Sequence, residues 1–252
     1  MAQTAGNIVH SFSPLYLEVK RLITESLIGG EWKAAAALPS ETRLSQRFKV
    51  SIGTVRKAID ELVAEHILVR QQGRGTFVAT HDRRRLLFNF FHIVGTDGVK
   101  NYPAVETLSF RRSALTAAEA AKLHVSAKDN TRALRIRNVL SLEDRPVVLD
   151  DIVIGEHMFP GLSADIFRKR DNTIYQLYQT GYGINVVRTA ERLSATLADA
   201  ESAKILGTKT GAPLLQINRI AYTYHSVPVE LRKSLVNTQE HEYFSDLDRP
   251  AR

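Results

Sequence analysis

The sequence predicts an α+β protein in two parts: a small helical head with a β-hairpin, and a larger domain of helices on a mostly antiparallel sheet. Three observations carry this. Apolar residues recur at helical spacing in three short blocks between Leu15 and Val63. Gln72-Gly73-Arg74-Gly75 then separates two short alternating runs. Beyond residue 90, helical blocks alternate with pairs of alternating runs, as in an antiparallel sheet with helices added.

A chain of 252 residues can bury two modest cores. With 44% apolar and 24% charged residues it has the composition of a globular protein rather than a disordered one. No apolar run approaches the roughly 18–20 residues of a membrane helix. The opening MAQTAGNIVHSFSP has neither the basic stretch nor the apolar core of a signal peptide, so the expected location is the cytoplasm, with no membrane partner. The absence of cysteine excludes disulfides, thiolate nucleophiles and cysteine zinc sites. The formal charge is +7. Residues 1–80 hold 10 basic and 7 acidic side chains and residues 81–252 hold 24 and 20, so the excess belongs to neither part alone. It is local, in LPSETRLSQRFKVSIGTVRK at 38–57 and in HDRRR at 81–85.

The first helix is expected to open at Ser13 and Pro14, as N-cap and first-turn residue, with Glu18 in its first turn. Leu15, Val19, Leu22, Ile23 and Leu27 form its buried stripe, and Gly29-Gly30 ends it. EWKAAAALPSET continues as a turn, and Ser40 caps a second helix that turns Leu44 and Phe48 inward. After the short Lys49-Val50 turn, Ser51 caps a third helix whose stripe is Val55, Ile59, Leu62 and Val63. A connection this short is helix-turn-helix geometry. ILVRQQGRGTFVAT adds a hairpin with a glycine tip, which makes the head a winged helix-turn-helix.

No acid occurs from Thr42 to Ile59, while Arg43, Arg47, Lys49, Arg56 and Lys57 do. A packed core explains the leucines of this stretch but not its cations. The third helix begins with Ser51, Gly53 and Thr54, small enough for its N-terminus to approach a phosphate or a base edge. Arg56 and Lys57 follow one turn later, and Arg74 sits between Gly73 and Gly75 at the wing tip. Cations, hydroxyls and small residues on one element point to double-stranded DNA as the partner.

Residues 14–78 closely resemble the DNA-binding domain of the GntR family of bacterial transcription regulators, through LPSE, VSIGTVRKAIDEL and GRGTFV. The resemblance implies a third helix in the major groove and a wing in the minor groove of a palindromic operator. It assigns Ser51, Thr54 and Arg56 to phosphates and bases and Gly73, Arg74 and Gly75 to the wing contacts. The expected DNA-binding set is Ser40, Arg43, Ser51, Gly53, Thr54, Arg56, Lys57, Gly73, Arg74 and Gly75. Many members carry guanine-reading arginines directly after LPSE and after VS; this chain has Thr42 and Ile52 there, with Arg43 one position later. A different operator follows.

The linker is expected at 80–90, between a head at 12–79 and a second domain at 91–248. In the second domain FNFFHIVG reads as a strand, and LTAAEAAKLHV as a helix with the capping box Thr116–Glu119. RALRIRNVLSL and PVVLDDIVI read as strands joined at EDR. NTIYQLYQTGYG reads as a helix capped by Asn172 and closed by Gly181. GINVVRTAERLSATL reads as a strand, LADAESAKILG as a helix, and APLLQINRIAYTY and VPVELRKSLVN as a final strand pair. Ala118, Glu119, Ala121 and Lys122 recur 82 residues later as Ala200, Glu201, Ala203 and Lys204; Arg137 recurs as Arg219, and Pro146-Val147 as Pro228-Val229. The repeat predicts one sheet with an approximate internal two-fold axis and a cleft between its halves.

This layout resembles the UTRA effector-binding domain of the HutC subgroup, which is related in fold to chorismate lyase. LLFNFFHIVG, LRIRNVLSLEDRPV, IYQLYQTGYGINV, AERLSA and PVELRKSLV carry the resemblance over about residues 90–247. It places a small-molecule effector, an anion among the candidates, against Phe91, His92, Arg135, Arg137, Thr173, Tyr175, Glu230 and Arg232. Arginine pairs suit phosphates or carboxylates, and a carboxylate such as Glu230 suits hydroxyls or an amine. The implied function is a homodimeric, effector-controlled transcription regulator, most often a repressor. The competing reading is a chorismate-lyase-like enzyme fused to a DNA-binding head, with His92, Glu191 and Glu230 as its acid–base groups. A constitutive architectural DNA-binding protein is the third. The sequence contains no metal-ligand cluster, no glycine-rich phosphate loop and no nucleophile motif, so no catalytic residue, metal or cofactor is expected.

Overall fold

Helix α1 (Leu15–Ile28) opens at Pro14, which occupies the cap position rather than the first turn expected for it. The structure, a computed structural model, describes residues 14–81, 89–126, 132–171 and 173–245, so the expected Ser13 cap lies outside it. Val19, Ile23 and Leu27 of α1 pack with Leu44 of α2 (Glu41–Phe48) and with Val55, Ile59 and Leu62 of α3 (Ile52–Ala64). Ser40 caps α2, its Oγ accepting from Arg43 N at 3.3 Å, and Ser51 caps α3, its Oγ accepting from Thr54 N at 3.1 Å. Lys49 takes the left-handed conformation between them (φ 55°), which lets the chain reverse within three residues. The wing pairs β1 (Leu68–Gln71) with β2 (Gly75–Val78). Part of the expected turn at 31–42 adds a third edge to the wing: Val78 N donates to Ala36 O at 2.9 Å and Leu38 N to Thr76 O at 2.8 Å.

The chain divides into two compact units between Ala79 and Thr80. Most of the basic linker (82–88) lies outside the described residues. The second unit is built on one antiparallel sheet in the order β4-β5-β6-β9-β8-β7. Its first half is β4 (Ala104–Ala114), α4 (Ala117–Lys122), β5 (Arg132–Leu142) and β6 (Arg145–Gly155). Its second half is β7 (Arg188–Leu197), α7 (Ala200–Ile205), β8 (Pro213–Tyr222) and β9 (Pro228–Val236). Between them come α5 (Ala164–Arg168) and α6 (Ile174–Tyr182). Strand β4 and helix α5 are elements the sequence reading passed over. In the expected strand FNFFHIVG only β3 (Ile93–Gly95) is a strand, paired with β10 (His241–Tyr243).

The repeat at offset 82 is the two-fold of this sheet. At its centre Asp151 of β6 pairs with Lys233 of β9, the residue 82 positions later. Both hairpin tips use two consecutive left-handed residues, Glu143-Asp144 and His225-Ser226. The symmetry then breaks. Arg137 lies opposite Asp151, but Arg219 lies opposite Arg232, with Asn218 taking the place beside Lys233. Each hairpin has one irregularity, at Leu140/Ser141 and at Ala221/Tyr222, so the shift arises nearer the tips, where Leu142 pairs with Arg145 but Tyr222 with Pro228. A slip of one residue turns a side chain to the opposite face of a sheet, so Arg137 and Arg219, matched in sequence, point to different faces.

One face is covered by α5 and α6 over Leu134, Ile136, Ile152, Phe159, Phe167, Tyr175 and Tyr178. The other carries a smaller cluster of Leu149, Ala203, Leu206 and Leu214. The cap of α6 is Thr173, whose Oγ1 accepts from Gln176 N at 3.0 Å; Asn172, expected there, lies outside the described residues. Gly181 is inside the helix, and Gly183 closes it, because Gly183 takes the left-handed conformation (φ 69°) that the C-cap needs. No helix of the described residues is long and apolar enough to cross a membrane.

Candidate functional site

The first turn of α3 contains no acid, whereas the first turns of α1 and α2 contain Glu18 and Glu41. An acid at this end favours the helix dipole, so its omission leaves the partial positive charge for an outside anion. Ser51 and Gly53 are exposed beside it, and Thr54 is half-buried. Ser51 Oγ and Thr54 Oγ1 lie 2.9 Å apart. A Cβ on Gly53 would meet only Ser51 Oγ, at 3.8 Å, so the glycine serves access rather than packing. Gly73 and Gly75 have φ of +71° and +114°, the backbone that the wing tip requires.

The cations divide into two kinds. Arg56 is clamped by Glu41, through Nε at 3.0 Å and a terminal nitrogen at 2.8 Å, and Arg47 pairs with Glu31. Lys57 Nζ lies 4.2 Å over the Tyr16 ring. Arg43 and Arg74 are exposed and have no carboxylate partner among the described residues. With Lys57, they are therefore the cations of the expected set that meet a phosphate without first breaking an ion pair.

The second unit holds a cavity of about 590 Å³ on the α6 face of the sheet. Phe91, His92, Thr173, Tyr175 and Arg232 of the expected effector set line it. Glu230 lies fully buried beneath it. Its Oε1 accepts from Tyr175 OH at 3.2 Å and from Arg232 Nε at 2.9 Å, and its Oε2 from Tyr178 OH at 2.8 Å. Arg232 also donates to Asp150 Oδ2 at 3.1 Å, while Ser234 Oγ donates to Asp150 Oδ1 at 2.5 Å. Burial and the nearby Glu230 charge push the Tyr175 hydroxyl up to about 12, so it stays neutral and donates. Burial opposes the charge of Arg232, but Glu230, Tyr175 and Asp150 more than offset it and hold that guanidinium protonated. Beside this triad, Arg219 donates to Glu191 Oε1 at 2.6 Å and to Phe90 O at 2.6 Å, and Tyr243 OH donates to Glu191. His92 also lines the cavity, and burial pushes its pKa down.

Arg135 and Arg137 are placed apart from these residues, on the other face of the sheet. Arg135 donates to both Glu119 oxygens at 2.7 Å, and Arg137 bonds Asp151 and Glu201 at 2.7 Å. The Arg135 hydrogen bond holds the Glu119 carboxyl down at about 2, against the opposing effect of burial. A depressed carboxylate stabilises the fold above its ordinary value of 4.5, and that contribution disappears as the pH falls through about 2. Glu119→Gln is therefore expected to be less stable than the wild type at pH 6, with a flatter loss of stability between pH 4.5 and 2, read from urea melts across that range.

Asn138, Asp150, Arg170 and Arg219 are among the cavity residues that the expected set did not include. Asp150 carried a signal, since two adjacent acids inside the apolar run VVLDDIVI cannot both face water. Arg219 was flagged by the repeat, though not its direction. Asn138 and Arg170 carried none.

Residues 15–78 match the family described as bacterial regulatory proteins, gntR family, and residues 100–242 match the UTRA domain. The HTH-type transcriptional regulator YurK of Bacillus subtilis (strain 168) is 28% identical over 231 residues, 90% of this chain and 93% of its own. The HTH-type transcriptional repressor NagR of the same organism is 27% identical over 242 residues, 94% of this chain and 96% of its own. The ligand-binding domain of a GntR-family transcriptional regulator from Bordetella bronchiseptica is 30% identical, with a TM-score of 0.60, covering 64% of this chain and 99% of that domain. The head, whose third helix opens without an acid, and the sheet with its charged cavity are thus the two modules of one known architecture, and the chain belongs to the GntR family of bacterial transcription regulators that carry a UTRA domain.

Proposed function

We propose that this chain is a cytoplasmic transcription repressor, acting as a homodimer on a palindromic operator and controlled by a small metabolite in the cavity over the sheet. Repression is supported by relatives such as NagR, a transcriptional repressor by name. A two-fold dimer suits half-sites about one helical turn apart, ~34–36 Å. The observation that carries the reading is the opening turn of α3, free of acid and set with Ser51, Gly53 and Thr54, in a chain that also holds a charged cavity. In this reading Ser40, Arg43, Ser51, Gly53, Thr54, Arg56 and Lys57 face the duplex and Gly73, Arg74 and Gly75 enter its minor groove. The cavity binds and does not catalyse. Glu230, Glu191 and Asp150 are taken up as acceptors by Arg232, Arg219, tyrosine and serine, which leaves none of them placed to move a proton.

Fluorescence anisotropy of the full chain on the promoter DNA of its own gene tests the reading. Affinity is expected to fall with salt by a log–log slope of about 0.9 per phosphate contacted. Arg74→Ala is expected to lower that slope by about 0.9 and to weaken binding about tenfold. The effector is expected to change operator affinity about 5–150-fold. Retention no stronger than on random DNA would overturn the reading.

A further inference from the structure

Resting on the reading of the cavity as the effector site, we propose that its ligand is a zwitterion: a metabolite carrying an amino-acid head group, its carboxylate on Arg170 and its ammonium on Asp150 and Asn138.

The charges of the inner part of the cavity set this choice; Glu106, Arg168 and Asp171 also line it but are exposed at its rim. Arg219 and Glu191 cancel, while Arg232 stands between two carboxylates, Glu230 and Asp150, and leaves one negative charge uncompensated. Arg170, half-buried in the cavity wall, has no carboxylate partner among the described residues. Its guanidinium donates to Phe167 O, lies 4.3 Å over the Phe167 ring, and is pushed down by burial. The charged group that most opposes it is Arg232, so the two unbalanced charges are not paired with each other. Partial burial of a charge without a counter-ion is unfavourable, and an anion against Arg170 relieves it. A dianion such as a phosphate ester would restore the imbalance with opposite sign. A zwitterion satisfies both ends.

Asn138 indicates where the ammonium sits. It lines the cavity and is fully buried, and neither polar atom of its amide has a hydrogen-bond partner among the described residues. Buried side-chain amides are ordinarily satisfied, so this one is available to a ligand. Its cross-strand partner is Asp150, which in turn faces Ser234. Asn138 Oδ1 and the free lone pairs of Asp150 thus form a neighbouring set of acceptors, which an ammonium with three donors fits. At about 590 Å³ the cavity lies within the range of small-molecule sites and leaves room for a substituent beyond the head group.

Thermal unfolding of the full chain tests this with the twenty L-amino acids and a set of dipeptides, each beside its N-acetyl and methyl ester forms. Glucose 6-phosphate and glucose serve as dianionic and neutral probes. At least one zwitterion is expected to raise Tm by about 2–4 °C at roughly five times its Kd, with both blocked forms inert. Arg170→Gln is expected to weaken its binding at least tenfold. Asn138→Leu is expected to raise the Tm of the ligand-free protein while weakening binding at least tenfold; a purely structural asparagine would lower Tm and leave affinity alone. If no zwitterion shifts Tm, or if blocked forms bind as well as free ones, the proposal is wrong. A shift by glucose 6-phosphate or glucose instead would sink the ligand class and keep the effector site. If no probe changes either Tm or operator affinity, the effector reading itself falls with it.

Discussion

Glu230→Ala is expected to destabilise the sheet unit by about 3–5 kcal/mol, the cost of breaking a buried ion pair from one side. The substitution strands three groups at once. Arg232 loses the acceptor at 2.9 Å, and the hydroxyls of the buried Tyr175 and Tyr178 lose theirs. Arg232 keeps Asp150, so the charge is not wholly orphaned. Glu230→Gln retains one acceptor oxygen and the volume, and is expected to cost less. Near-ultraviolet circular dichroism of the buried tyrosines in urea reads the transition of this unit. The single tryptophan, Trp32, lies in the head and reports that unit separately by fluorescence. A loss below about 1 kcal/mol would mean that the carboxylate is not the keystone of the network.

Gly53→Glu is expected to stabilise the head while abolishing its grip on DNA. Glycine inside a helix costs roughly 0.8–1.0 kcal/mol relative to alanine, and an acid in the first turn adds a favourable dipole term, so folding should gain about 1 kcal/mol. The new side chain meets no steric obstacle, since the nearest atom to a Cβ there is Ser51 Oγ at 3.8 Å. On the duplex the same carboxylate would face phosphate. Like-charge juxtaposition costs several kcal/mol, on the order of a 100-fold loss of operator affinity. Gly53→Ala separates size from charge and should keep most of the binding. A Gly53→Glu protein that melts higher and binds as before would remove α3 from the interface.

The head was legible because its signals are local. Ser40 and Ser51 cap their helices, and Gly73 and Gly75 hold the wing tip, each satisfying a backbone need within four residues. Where local rules compete they mislead: Gly181 and Gly183 are two residues apart, and only the one driven to positive φ ends the helix. Strand β4 escaped notice because its edge position gives it a largely exposed, weakly alternating pattern. The cavity was half legible. Phe91, His92, Thr173, Tyr175 and Arg232 line it, and Glu230 supports it, but Arg135 and Arg137 turn to the opposite face.

By itself the sequence determined that the second domain is a doubled unit, since an offset of 82 residues already relates Arg137 to Arg219 and Pro146 to Pro228. Only the tertiary structure decided which arginine serves the cavity. Side chains alternate along a strand with a period of two, so a register shift of a single residue between the halves sends Arg219 inward and Arg137 outward. That shift is a property of how strands pair, and no residue along either strand announces it.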